Sequence, residues 1–314
     1  GMGATVCKLR LLGGITAAGK TDWAIAWAKK NNAEILSCDS VSCYRGLNIG
    51  SAKPGPDEIK QVNHHGIDLI DLDEVFDVGQ YHEYATRVLN QSVEQSVPML
   101  VVGGSGFFLE GFLKPVVDGM NVPPSIREKV DQWYETEGLV GCVKRLKEMN
   151  PSGLGDLDQN NQARVRRALE RCLSSGKELA EIKREFDSLP KPYPTFSKEM
   201  IWLDRENEDI EARIQKRTEH MLSSGMIDET RDALSKGMNL HPSLSKAVGY
   251  REVGWFLEGK LNREELKQAI TSATRKLVSK QRKWFRNRFP PQSRFLLNQK
   301  QEVNPEELNW VSDS

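Results

Sequence analysis

No apolar run in this 314-residue chain approaches the ~20 residues of a membrane span, and no basic-then-apolar leader is present. A protein away from the membrane is therefore expected. Cysteine is scarce and unpaired. Cys7, Cys38, Cys43, Cys142 and Cys172 are odd in number and scattered, with no C-x2-C pair, which excludes a disulfide scaffold and a zinc finger and predicts reduced thiols in a cytoplasm. The five histidines, His64, His65, His82, His220 and His241, make no ligand spacing with acids or thiols and read as structural. Internal repeats and low-complexity tracts are also missing, so a solenoid or a disordered chain is set aside. One further gap bears on chemistry. A nucleotide hydrolase usually carries an apolar strand closing on a Mg²⁺-binding acid, and neither Ile35–Asp39 nor Ile67–Asp71 is a clean run of that kind.

What is present begins with Gly14-Ile15-Thr16-Ala17-Ala18-Gly19-Lys20-Thr21, a match to the phosphate-loop pattern G-x4-G-K-[ST]. It follows the apolar stretch Val6–Leu12 and opens an amphipathic one, Asp22–Lys30, the strand–loop–helix setting the pattern requires. Such a loop aims backbone N–H groups and a helix N-terminus at phosphate oxygens. Lys20 supplies a point charge and Thr21 a hydroxyl for Mg²⁺. The loop class is that of ATP- and nucleotide-binding proteins, yet by itself it serves kinases, hydrolases and other transferases alike.

Strand signals at Val6–Leu12, Glu34–Cys38, Gly66–Ile70 and Pro98–Val102 alternate with helix signals, among them Asp77–Gln95 with a capping box from Asp77 and Gln80. The expected fold class is α/β, a P-loop-like parallel sheet flanked by helices, with ligands at the carboxyl ends of the strands. Residues 1–118 form the first part of that core. Beyond a Pro/Gly joint at Pro115–Pro124, residues 119–197 read as an all-helical insert (Ser125–Glu135, Leu139–Met149, Gln162–Ser174), closed by the helix-breaking Leu189–Pro194. Residues 198–314 complete the core with a short strand Met200–Leu203, helices at Ile210–Gly225, Glu229–Lys236, Tyr250–Glu258 and Arg263–Asn287, and a strand at Ser293–Asn298.

Three polar sites share the expected sheet edge: the loop, Asp39 and Ser105. Asp39 can ligate Mg²⁺, take a proton, or cap its own turn. Ser105, in Gly103-Gly104-Ser105-Gly106, can reach a phosphate oxygen or bond its own backbone. Lys53, in a second Gly-containing loop, can reach a phosphate or face solvent. The net charge is zero, but residues 271–298 carry eight basic side chains and no acid. Arg164, Arg167 and Arg171 share one helix face, and Arg213 and Arg217 recur one turn apart. Such stripes attract phosphate backbones when they are not merely solvated helix faces.

Together these segments resemble the bacterial tRNA dimethylallyltransferase family. The carriers are Gly14–Thr21, Asp39-Ser40, Tyr44-Arg45-Gly46, Ile49–Pro54, Val102–Ser105, Arg164–Glu170, Ser175-Gly176-Lys177, Val248–Arg251, and Ala273–Leu277 with Lys280–Trp284, in order over nearly the whole chain. The resemblance implies transfer of a dimethylallyl group from dimethylallyl diphosphate to N6 of the adenosine 3′ of the anticodon. The base is flipped out of the stack, because N6 is otherwise inaccessible. It implies Asp39 as general base, Ser105 (where the family usually has Thr) near the breaking C–O bond, and Arg213 on the leaving diphosphate. Gly14, Thr16, Ala17, Ala18, Gly19, Lys20 and Thr21 hold that diphosphate, with Mg²⁺ on Thr21. Asp39, Ser40, Val41, Ser42, Arg127, Arg164, Arg166, Arg167, Lys246, Gly249, Tyr250, Arg251, Arg282 and Arg286 are expected at the tRNA, and the helical insert contacts it. A monomer is expected. Ile15 departs from the usual Pro, and Phe108 stands near a position that is often Tyr. Rival readings are an adenylate dimethylallyltransferase using free AMP, ADP or ATP, a small-molecule kinase, and a non-catalytic RNA-binding module.

Overall fold

Leu9, Leu11 and Leu12 are fully buried in a strand with helices on both sides, which is why Cys7–Gly14 is a near-continuous apolar run and not an alternating one. In the computed structural model, which describes residues 7–116 and 122–313, this is β1 of a seven-stranded sheet. The others are β2 (Glu34–Ser37), β3 (His64–His65), β4 (Met99–Gly103), β5 (Phe196–Arg205), β6 (Arg294–Leu297) and β7 (Val311–Ser312). Their order is β3-β2-β4-β1-β5-β6, all parallel, and β7 pairs antiparallel with β5. Val6 and the joint expected at 118/119 lie outside the described residues.

Contacts divide the chain into two units, one of residues up to Leu113 and from Tyr193 onward, the other Lys114–Pro192. The first holds the sheet and its large core. The second is helical, with a core of its own from Val130, Cys142, Leu146, Val165, Leu169 and Cys172. Within it, Pro124–Met149 is interrupted at Gly138 (φ 69°), the gap expected between two helices. Buried Asn150 ties this unit together, its amide donating to the Leu146 carbonyl (2.7 Å) and its oxygen accepting from Leu179 N (2.7 Å). The helix Leu179–Asp187 was not foreseen.

Two elements of the first unit differ from expectation. Gly66–Ile70 is not a strand. Gly66 (φ +90°) and Asp68 (φ +51°) turn the chain, leaving β3 at His64–His65 and a single bridge between Tyr44 and Ile70. β5 runs ten residues, well beyond Met200–Leu203, because it pairs with β1 along its length and carries β6 and β7 on its other side. The helix Val78–Glu94 begins in the expected capping box, Gln80 N to Asp77 Oδ1 at 2.8 Å and Asp77 N to Gln80 Oε1 at 2.9 Å.

The helix Arg263–Arg288 lies against the sheet. Phe285 stacks on Trp202 at 5.2 Å and 10°, and a Cβ added to Gly13 would come within 2.3 Å of its ring. A glycine is required there by this close approach. Among the described residues no helix is long and apolar enough to cross a membrane.

Candidate active site

The phosphate loop leaves β1 at Gly14 and enters the helix Lys20–Lys30 through Gly19, whose φ of +95° suits glycine. Ala17 is also left-handed (φ +67°). Ile15 is fully buried, and its N–H donates to the Leu203 carbonyl at 3.1 Å. A proline there would remove that donor, so the departure from the family's residue gains a tie to β5. Lys20 Nζ donates to the carbonyls of Gly14 (2.9 Å) and Ile15 (3.2 Å). Burial lowers its pKa to about 8, against the pull of the Asp39 carboxylate, while the Arg217 cation acts in the same sense as burial. The Thr21 hydroxyl has no hydrogen-bond partner among the described residues.

Asp39 follows β2, so it stands at the same edge of the sheet as the loop. It caps its turn: Val41 N donates to Oδ1 and Ser42 Oγ to Oδ2, each at 2.8 Å. The two bonds fix the carboxylate, which has further lone pairs to offer. Its charge is felt by Lys20 and by Arg217, whose own pKa is lowered by burial. Ser105 follows β4 in a bend, half-buried, with no hydrogen bond to its hydroxyl among the described residues. β1, β2 and β4 are neighbours in the sheet, and their carboxyl ends bring loop, acid and serine to one edge.

Several braces were not apparent from the sequence. Gln281 Oε1 accepts from Thr16 N at 2.8 Å, fastening the loop to the C-terminal helix. Arg205 Nε donates to the Ala18 carbonyl (2.9 Å) and Arg213 Nη1 to that of Ala17 (3.4 Å), and both arginines pair with Asp209. Glu229 gathers the N–H groups of Asn48 (2.9 Å), Ile49 (2.9 Å) and Gly50 (3.3 Å), and the Tyr250 hydroxyl (2.7 Å). Burial, then the Glu229 carboxylate, raises the Tyr250 phenol and keeps it a donor. Only the Asp209 pairs, at i,i+4 spacing on either side, have a local sequence signal.

The structure corrects several expected roles. Arg282 is not on an RNA-facing stripe: its side chain is 15% exposed, and its Nε, Nη1 and Nη2 donate to Asp204 (3.0 Å), Asn207 (2.6 Å) and the Arg205 carbonyl (2.8 Å). Tyr250, Gly249 and Ser42, expected at the tRNA, are buried and serve Glu229, the Glu252 cap and Asp39 in turn. Lys53 does not face solvent. Its ammonium clips the carbonyl of Tyr44 (3.0 Å) to Asn48 (2.8 Å) and Asp68 (2.5 Å). Phe108 lies inside, stacked on Tyr81 at 4.4 Å.

Other expected contacts are exposed or partly so. Ser40, Lys246 and Arg286 are exposed and Val41 is half-buried. Arg251 pairs with Glu252 (2.7 Å) over the Trp255 ring (5.2 Å). In the helical unit, Arg127 and Arg164 are exposed, Arg166 pairs with Asp131 over Tyr134, and Arg167 faces Glu170 at 3.8 Å. The five cysteines are free thiols. Those of Cys38 and Cys43 are pushed up by burial, that of Cys43 to about 12, which makes them inert.

The family model described as IPP transferase matches residues 42–288. The chain is 43% identical over 287 residues to a protein of Opitutus terrae named tRNA dimethylallyltransferase, covering 91% of this chain and 92% of that one. A crystal structure titled full-length tRNA isopentenylpyrophosphate transferase, from Bacillus halodurans, matches with TM-score 0.65 at 27% identity, over 93% of this chain and 89% of that one. A third match, with a eukaryotic dimethylallyltransferase acting on tRNA, has TM-score 0.76 at 22% identity over 93% and 74% of the two chains, and bears on the fold.

Proposed function

Because the chain belongs to the IPP transferase family, we propose that it transfers a dimethylallyl group from dimethylallyl diphosphate to N6 of the adenosine 3′ of the anticodon in tRNA, releasing diphosphate. The observation that carries the reading is the meeting of the phosphate loop, Asp39 and the Ser105 turn at one edge of the sheet, with Lys20 and Asp39 in each other's field. A polyphosphate site beside an anchored carboxylate suits displacement of a phosphate leaving group by a nucleophile that must lose a proton.

The N6 lone pair attacks the carbon bearing the diphosphate, the C–O bond breaks, and its electron pair leaves on diphosphate oxygen. Asp39 takes the N6 proton, held for the purpose by Val41 N and Ser42 Oγ. Lys20, the loop N–H groups, Arg213 and the Ser105 hydroxyl meet the charge that develops on the leaving group. Thr21 suits Mg²⁺, an ion usually held by one or two protein oxygens plus phosphates and water, and its unpartnered hydroxyl is such an oxygen. Bound there, the ion would neutralise diphosphate charge. The exposed Arg127, Arg164, Lys246 and Arg286 supply cations for the RNA backbone. We take the working form to be a monomer away from the membrane.

Labelled dimethylallyl diphosphate offered with unmodified tRNA or with AMP tests the proposal. The expected product is N6-dimethylallyladenosine in intact tRNA, with AMP a poor acceptor and Asp39→Ala slower by about 10²-fold or more. Efficient prenylation of AMP and none of tRNA would overturn it in favour of an adenylate prenyltransferase.

A further inference from the structure

We propose that Asp209 is a positioning residue of the diphosphate site, a buried carboxylate that holds two like-charged guanidiniums side by side at the phosphate loop so that Arg213 is presented to the leaving group. The inference rests on the reading of this loop as a diphosphate site.

Asp209 lies in the first turn of the helix Asn207–Ser223 and is 8% exposed. Its Oδ2 accepts from Arg205 Nη1 at 3.0 Å and its Oδ1 from Arg213 Nε at 3.3 Å. The same two arginines reach the adjacent loop carbonyls of Ala18 and Ala17. A Cβ on Gly19 would stand 3.5 Å from Arg205 Nη2 and 3.8 Å from Arg213 Nη1, so both forks flank the last glycine of the loop. Two cations that close repel each other, and Asp209 is the anion between them.

The two arginines do not depend on it equally. Arg205 is 6% exposed and also bonds the Asn298 carbonyl at 3.4 Å. Arg213 is 38% exposed and is held by Asp209 and by one long bond to Ala17. Without Asp209, Arg213 is the fork free to turn away to solvent.

The sign of the effect separates positioning from charge. Coulomb's law alone says that removing an anion near the site tightens the binding of another anion. Positioning says that binding weakens, because a charge-assisted hydrogen bond from Arg213 is lost.

Inorganic diphosphate with Mg²⁺, titrated calorimetrically into the full chain, gives the direct reading. Asp209→Asn is expected to bind about 10-fold more weakly, the loss of one such bond. Asp209→Glu, which keeps the charge but moves it by a methylene, should also bind more weakly. In turnover, KM for dimethylallyl diphosphate should rise while KM for tRNA stays put, a split that general destabilisation would not give. In an Arg213→Ala background, Asp209→Asn should add little. Unchanged or tighter diphosphate binding by folded Asp209→Asn, or full recovery in Asp209→Glu, would overturn the proposal and leave the functional reading intact. Wild-type protein that ignores diphosphate would overturn both.

Discussion

Arg282 and Arg286 stand one turn apart on the helix Arg263–Arg288, and nothing in their sequence surroundings tells them apart. The first turns in to Asp204, a carboxylate with no exposed surface that also takes Arg294 at 2.8 Å. The second turns out with Lys276, Lys280 and Lys283 along an exposed face. A basic run without acids looks like one electrostatic surface, but the acid that claims Arg282 comes from β5, 78 residues away. The outer members, not the run as a whole, are the cations left for phosphate.

The difference breaks most visibly at Asp204. Asp204→Ala strands Arg282 and Arg294, and breaking a buried pair costs about 3–5 kcal/mol. Arg294 is 41% exposed and finds water, so the low end, about 3 kcal/mol, is expected. A thermal unfolding midpoint lower by roughly 6–12 °C would register it. A shift within a degree would mean that the inner network is decorative.

Charge reversal on the two arginines sharpens the contrast. Arg282→Glu sets a carboxylate against Asp204 and should lower the midpoint together with every activity. Arg286→Glu should leave the midpoint where it is, weaken tRNA binding severalfold, and flatten the dependence of log K on log salt by about one unit. Equal loss of stability in both variants would erase the distinction between the faces.

The smallest effect is the pH dependence that Lys20 gives to diphosphate binding. With its pKa at about 8, the ammonium is charged below that pH and neutral above it, so diphosphate affinity should hold through neutrality and fall as pH rises through about 8. Diphosphate titrations from pH 6.5 to 9.5 on wild type and on Lys20→Ala check it: the variant binds weakly throughout and loses the inflection.

Much of this was legible in the chain. The loop pattern with its flanks placed β1 and its helix. The Asp77/Gln80 box placed a helix start, and Val165, Ala168, Leu169 and Cys172 marked the buried face of Gln162–Ser175. Asp39 and Ser105 were readable because a parallel sheet delivers strand ends to one edge. What stayed hidden is mostly long in sequence, and the Asp209 pairs are the exception, since Arg205 and Arg213 each stand four residues from Asp209, a spacing a local window can read. Glu229 with the 48–50 amides and Gln281 with Thr16 pair across folded space, and a local window cannot see such a partner. Gly66–Ile70 misled for a different reason, since its apolar residues are bent by a left-handed Gly66 and Asp68. Burial of Tyr250 and Ser42 was equally invisible, because polar side chains serve interior bonds as readily as a surface.

The bond from Thr16 N to Gln281 spans 265 residues, and its length in sequence is also a length in time. A ribosome adding about 5–20 residues each second makes the phosphate loop first and its last brace roughly 13–50 seconds later. For most of its own synthesis the nascent protein carries a loop that nothing fastens on the side of the C-terminal helix. A translation product cut short before the C-terminal helix inherits the motif without the Gln281 brace.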